Sequence, residues 1–263
     1  GSQRGRYSAI GLDPDLIWKC QGSKAEINRN PSDKKSEFIK EKVSALNSLE
    51  AIIDESRIDI PENLPPMSSG LFGYIGYDMI RLMEKIPDKK KDSLNLPDGL
   101  LIRPKIMIIF DNVEDVVYII TPIWPKKSMD ILSAYKAGEK RLINIVNSFE
   151  KRIVKEKSKE TKNYSPKPKS NTTKSQYFTM VKKAKKYIRD GDIFQVVPSQ
   201  RFSIPFTKPP FNLYRSLRRL NPSPFLFFMN FGNFSIVGSS PEILVRLKDN
   251  QVTIRPIAGT RKR

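Results

Sequence analysis

An α+β fold with mostly antiparallel sheet is what this sequence of 263 residues predicts, and three observations predict it. Short runs rich in β-branched and aromatic residues recur, and several are separated only by turn signals such as Asp111-Asn112, Phe231-Gly232-Asn233 and Asp249-Asn250. Amphipathic stretches with helical spacing stand between groups of these runs. Strands and helices do not alternate regularly, as a parallel sheet with crossover helices would require, and no internal repeat is visible.

Taken in order, Arg6 to Leu12 and Leu16 to Gln21 read as strands broken at Asp13-Pro14. Residues 36 to 53 carry Phe38, Ile39, Val43, Leu46, Leu49 and Ile52 on one side of a helix. The glycines of Gly70 to Asp78 let backbone approach backbone while the aromatics between them fill space; a phosphate loop would need a following Lys-Ser/Thr pair, and none is there. Lys105 to Phe110 and Val116 to Thr121 form a predicted hairpin. A long helix follows Ser128, with Ile131, Tyr135, Leu142, Ile145, Val146 and Phe149 as its apolar side.

From Lys151 to Lys174 the composition shifts to Lys, Ser, Thr, Asn and Pro, which reads as a linker. Domains are therefore expected at 1–150 and 175–263. The second opens with a helix capped by Ser175, facing inward with Phe178, Val181, Ala184 and Ile188 and ended by Gly191. Gln195 to Arg201 and Phe202 to Ile204 continue as strand, and Leu213 to Leu220 as a short helix. Strands follow at Phe225 to Asn230, Phe234 to Val237, Ile243 to Lys248 and Gln251 to Ile257.

The hydrophobic share of 38% and charged share of 29% are those of a chain that folds around a core. No apolar run reaches the roughly 20 residues that span a bilayer, so no membrane contact is expected. The opening GSQRGRYS lacks the pattern of a signal peptide. The one cysteine, Cys20, excludes a disulfide framework and makes the cytoplasm the expected compartment; its ordinary reading is a half-buried strand residue. The net charge of +19 raises a second class, a basic nucleic-acid-binding protein. Against that class, the densest runs, Lys89 to Lys91 and Lys151 to Lys169, fall in loop or linker, where a solvated charge run is the usual meaning. No nucleic-acid partner is expected, although the same charge can attract a small dianion. The absence of an initiator Met and the stop at Arg261-Lys262-Arg263, just past a predicted strand end, suggest truncation at both ends.

The chain holds no histidine, which removes histidine triads and histidine zinc sites from its own chemistry. Three features near the C-terminal strands remain. Asn221-Pro222-Ser223-Pro224 is a rigid turn before the aromatic strand. Ser239-Ser240-Pro241-Glu242 puts a carboxylate at a strand start. Pro256 to Arg261 ends a strand in small residues, a hydroxyl and a guanidinium suited to an anion. Each taken alone is also an ordinary turn or strand terminus.

Together these stretches resemble the chorismate-utilising enzymes. The residues that carry the resemblance are Gly191 to Ser199, Asn221 to Phe228, Gly238 to Glu242 and Arg255 to Arg261, with Arg4 to Ser8 and Gly73 to Asp78 in the first half. The resemblance implies the fold of that family, antiparallel sheets packed as a sandwich with helices outside, incomplete in this stretch of chain. Water-using relatives carry a lysine base where this sequence has Gln195; a neutral amide cannot deprotonate water, which points to ammonia as nucleophile. Aminodeoxychorismate synthases typically carry a nucleophilic lysine where this sequence has Ala258. Gln195 with Ala258 is the pattern of anthranilate synthase large subunits, with aminodeoxychorismate synthase as the alternative.

That resemblance also implies roles. Glu242 matches the general acid, a role that needs burial to raise its pKa. Gln195 lies beside the reacting ring, and Gly259 and Thr260 bind chorismate. Pro224, Phe225 and Leu226 line a tryptophan feedback pocket, where other members often show Tyr-Met at the last two positions. Magnesium is the implied cofactor, its ligands expected beyond Arg263 and none within this sequence. A glutamine amidotransferase subunit is the implied partner, and the stretch alone is expected to be inactive. A regulatory tryptophan-binding module without catalysis is a third possibility.

Overall fold

The computed structural model describes residues 5–87, 92–124, 130–152 and 166–255. The chain divides into two compact units, Gly1–Ile153 and Val154–Arg263, each with its own framework.

The first unit contains β1 (Tyr7–Gln21), β2 (Lys24–Asn28), β3 (Ile39–Lys40), α1 (Ala45–Glu55), β4 (Phe72–Ile75), a 3-10 turn (Tyr77–Leu82), β5 (Gly99–Asp111), β6 (Val116–Ile120) and α2 (Ile131–Phe149). Its strands form one sheet in the order β3-β2-β1-β5-β4, with β6 also paired to β5. Every pairing is antiparallel. β5 is the centre: β1 runs along one edge, while β4 and β6 share the other. Its run Ile106 to Ile109 is buried on both faces.

The two strands expected at the start are one. Asp13-Pro14 does not break β1; it bulges it. Asp13 takes a left-handed φ of 49°, and Asp15 is the extra residue between the pairs Pro14↔Pro104 and Leu16↔Arg103. The bulge aims the Asp15 carboxylate at Arg103, which it grips through Nε and Nη2, both at 2.9 Å. Arg103 is buried, and its Nη1 reaches Glu55 Oε1 at 3.1 Å and Ser56 Oγ at 3.2 Å at the end of α1. Its guanidinium carbon lies 4.4 Å from the centre of the Trp124 ring. One cation thus joins β1, β5 and α1.

Beyond the bulge, Leu16, Trp18 and Cys20 alternate onto the buried face and meet Ala25, Ile27, Leu101, Met79 and the Ala45 and Ile52 side of α1. The Trp18 indole N–H donates to Ser48 Oγ at 3.0 Å, so its polar atom is satisfied inside the core. Cys20 is fully rather than half buried and lies 3.7 Å from the Met79 sulfur. Burial pushes its thiol up to about 11. Helix α1 is shorter than the spacing over 36 to 53 predicts. Ser44 caps it by accepting from the Asn47 N–H, and Ile39–Lys40 pair with β2 instead. Phe38, Ile39 and Val43 are therefore not on its face.

The packing role of the glycines is borne out. A Cβ on Gly73 would lie 2.0 Å from the Leu100 carbonyl oxygen, and one on Gly76 2.7 Å from that of Asp98. Helix α2 is capped by Asp130. It packs through Gly138 against Ile123, with Arg141 donating to Thr121, so its contact strip is narrow. Of its expected apolar side, Leu142 and Ile145 are half-buried, whereas Ile131, Tyr135, Val146 and Phe149 are exposed.

The second unit contains β7 (Lys169–Ser170), α3 (Lys174–Asp190), β8 (Phe202–Ser203), α4 (Pro210–Leu220), β9 (Phe225–Asn230), β10 (Ser235–Ser240), β11 (Arg246–Lys248) and β12 (Gln251–Thr253). The pairs β7-β8, β9-β10 and β11-β12 are antiparallel. The stretch expected as linker holds β7 and the cap of α3 at its end; residues 153–165 lie outside the described ones. That cap is Thr173, not Ser175: Thr173 and Gln176 exchange both bonds of a capping box. Gly191 ends the helix at φ 83°. Val181 and Ala184 are half-buried, but Phe178 and Ile188 are exposed. The predicted strand 195–204 shrinks to Phe202–Ser203, because no strand among the described residues pairs with the rest. Helix α4 starts earlier than Leu213, at Pro210, whose fixed φ suits a first helical turn. Its Phe211 ring meets Phe228 of β9 at 5.2 Å. Among the described residues of this unit, none is fully buried.

Both tryptophans lie in the first unit, so their fluorescence reports its unfolding alone. Arg103→Met leaves the Asp15 carboxylate without its cation and is expected to cost about 3–5 kcal/mol in urea denaturation followed by that fluorescence. Adding Asp15→Leu should recover most of the loss. Asp111, gripped by Arg6 at 2.7 Å and by the Val113 and Glu114 N–H groups, is held down at about 2 against an ordinary 3.8. Its contribution is complete above pH 3.8 and disappears as pH falls through about 2. Asp111→Asn should therefore flatten the acid side of the stability curve, read as the fluorescence melting midpoint from pH 5 downward. Hydrogen exchange should show strong protection in β1 and β5 and fast exchange in α3, β9 and β10; equal protection would contradict the difference in burial.

Candidate active site

The sequence places its chemistry around the β9–β10 hairpin, and the hairpin explains why. Its turn, Phe231 to Phe234, closes with the Phe231 N–H on the Phe234 carbonyl at 3.0 Å and Gly232 at φ 88°. The register that follows pairs Phe225 with Ser240, Leu226 with Ser239 and Phe227 with Gly238. The start of β9 and the end of β10 therefore lie side by side. The Asn221-Pro222-Ser223-Pro224 turn before β9 and the Ser239 to Glu242 corner after β10 occupy the same end of the hairpin. Gly238 is required there: a Cβ would lie 2.1 Å from the Phe227 ring, which covers it from the opposite strand.

Two serine hydroxyls join the turn to the corner, and a third works within the corner. Ser239 Oγ donates to the Asn221 carbonyl at 2.7 Å. The Ser223 hydroxyl donates to the Ser240 carbonyl. Ser240 Oγ donates to the Glu242 carbonyl at 2.9 Å and accepts from the Glu242 N–H at 3.3 Å. At the other end of the turn, Asn221 closes α4 by donating its N–H to the Leu217 carbonyl at 2.9 Å.

Of the residues singled out in the sequence, Pro224, Phe225 and Leu226 thus share one end of the hairpin with Glu242. Glu242 itself is exposed among the described residues. Gln195 lies elsewhere along the chain, in the irregular segment between α3 and β8, with its side chain exposed. The far end of that segment is fixed by Gln200 donating to Ser170 Oγ at 2.7 Å and by the Arg201 N–H donating to Asn171 Oδ1 at 2.9 Å. Ala258, Gly259 and Thr260 lie outside the described residues. Among the described residues no group of three or more carboxylate, histidine or cysteine side chains could hold a metal ion, so these residues do not fit a magnesium site.

Ser223 and Ser239 stand in the motif stretches, yet sequence reasoning gave them no role. Counting back from the Phe231-Gly232-Asn233 turn would have set Ser239 opposite Leu226, beside the proline turn. The carbonyls that the hydroxyls reach are set by the three-dimensional path of that turn, which no spacing rule reveals.

The family model of the chorismate binding enzymes matches residues 8–263. The anthranilate synthase component 1 of Cereibacter sphaeroides is 48% identical over all of this chain and 53% of its own length. That of Pseudomonas putida is 37% identical, again over all of this chain and 53% of its own length. A crystal structure of anthranilate synthase component I from Streptococcus pneumoniae superposes with a TM-score of 0.77 at 28% identity, covering 97% of this chain and 54% of that one. The α+β fold is therefore that of anthranilate synthase component I, and the chain spans about half the length of the relatives it matches. With the family model spanning nearly the whole sequence, the chain belongs to the chorismate binding enzymes.

Proposed function

We propose that the chain is part of an anthranilate synthase large subunit, converting chorismate and ammonia into anthranilate, pyruvate and water at the head of tryptophan biosynthesis. The observation that carries the reading is Gln195 combined with Ala258 in a chain that matches the family throughout. Neither side chain offers a base for water or a nucleophile of its own, so an external amine must attack the ring. The names of the relatives point the same way over aminodeoxychorismate synthase.

In this reading Gln195 lies beside the ring without taking a proton, while the ammonia nitrogen forms the new C–N bond. Glu242 gives its proton to the departing ring hydroxyl, which leaves as water. Loss of the enolpyruvyl group as pyruvate, with a ring proton, then gives the aromatic ring. Gly259 and Thr260 bind a chorismate carboxylate, and Pro224, Phe225 and Leu226 line the tryptophan pocket. Magnesium belongs to the reading through ligands beyond Arg263, and no step above passes through it. Ammonia comes from a glutamine amidotransferase subunit, and the compartment is the cytoplasm; among the described residues no helix is long and apolar enough to cross a membrane. The exposed position of Glu242 and the unburied second unit support a site completed by the other half of the relatives' length.

The test uses a protein of the relatives' length that contains this sequence, assayed with chorismate and ammonium. Anthranilate and pyruvate in equal amounts are the expected products, and aminodeoxychorismate would overturn the assignment. Glu242→Gln, which keeps shape and loses the proton, should lower kcat by about 10²–10⁴. A fall below tenfold would remove the general-acid role.

A further inference from the structure

Building on the proposed chorismate chemistry, we propose that Ser223 and Ser239 are positioning residues that transmit the state of the tryptophan turn to Glu242. The juxtaposition behind this is the pair of hydroxyl bonds across the end of the hairpin, Ser239 to the Asn221 carbonyl and Ser223 to the Ser240 carbonyl.

A two-stranded ribbon is marginal by itself and does not fix how the segments beyond its ends sit. The hydroxyl bonds supply that link. Ser223 stands between Pro222 and Pro224, which limit its backbone and so the direction of its hydroxyl. Its acceptor is the peptide of Ser240, the residue whose own hydroxyl brackets the backbone of Glu242 on both its N–H and its C=O. Ser239 holds the other side of the turn at Asn221, the last point of α4. A ligand packed on Pro224, Phe225 and Leu226 displaces the turn. Through these bonds the displacement reaches the peptide of Ser240 and, from there, the position of the Glu242 carboxyl. Strand pairing reaches the same corner through Phe225↔Ser240 and Leu226↔Ser239, and the Ser223 and Ser239 hydroxyls add the tie between that corner and the turn before β9.

The proposal concerns coupling, so the readout is a coupling factor: the chorismate KM at saturating tryptophan divided by the KM without it. It is measured with ammonium on the protein of the relatives' length. Ser239→Ala and Ser223→Ala should each lower this factor about fivefold, the typical worth of one net hydrogen bond. The tryptophan Kd measured calorimetrically without chorismate should stay within about threefold of the parent, because neither serine is among the residues proposed to line the pocket. Ser235→Ala, at the opposite end of the hairpin, should leave the factor unchanged. An unchanged factor in both turn variants overturns the proposal, and a lowered melting midpoint with an unchanged factor does so equally, since that is the mark of a structural role alone. If the parent protein forms no anthranilate, or its KM ignores tryptophan, the proposed function fails and the coupling role fails with it. A parent that responds to tryptophan alongside variants that couple as well as it does removes the serine link only.

Discussion

The pairing of β1 with β5 is the constraint on which the first unit depends. It runs from Tyr7↔Asp111 to Cys20↔Gly99, and β2, β4 and β6 each attach to one of these two, with β3 joined through β2. A slip of one residue would turn Leu16, Trp18 and Cys20 to the opposite face and empty the core. The register is held at both ends of its weak point. At the bulge, Asp15 and Arg103 lock the strands with a paired, buried ion contact. Near the chain start, Arg6 closes on Asp111 and fixes the opposite end. Such a pair adds little net stability compared with apolar residues of the same volume, but its loss on one side is severe. Its use here is registry, because Arg103 also reads the end of α1 through Glu55 and Ser56.

The second unit follows a different logic. Its stability does not come from an enclosed core, since none of its described residues is fully buried. Local devices hold it: a capping box at Thr173, a left-handed glycine at Gly191, a proline start to α4 and a short aromatic cluster of Phe211, Tyr214 and Phe228. The hairpin that carries the candidate site is thus ordered locally before anything covers it. Its function in the proposed reading fits that state, because a catalytic carboxyl needs an environment that the hairpin alone does not create.

What the sequence reveals divides along the same line. Turn chemistry was readable at Gly191, Gly232 and Asp249-Asn250, where the backbone takes φ > 0, but not at Met67, Asn95 or Asp115, which take it too. Close backbone approach was readable at Gly73 and Gly76. Strand limits were not. Asp13-Pro14 looks like a break, and only the partner strand, with Pro104 facing Pro14, turns it into a bulge. Residues 195–201 have the composition of a strand and lack a paired neighbour among the described residues, so composition misleads. Helix faces failed where contact is narrow, as on α2, whose meeting point is a glycine and not an apolar stripe. The motifs single out the residues proposed for the site, whereas the hydroxyl ties of Ser223 and Ser239 depend on where two turns pass each other in space.

Cys20 gives the first unit a built-in chemical clock. The chain has a single thiol, and it is sealed between the sheet and Met79 with its ionisation suppressed by burial. A thiol-reactive dye can reach it only when the β1 edge of the core opens, since the thiolate that reacts forms readily only in water. The labelling rate at low dye excess then reports what fraction of the time that core stands open, without any engineered probe.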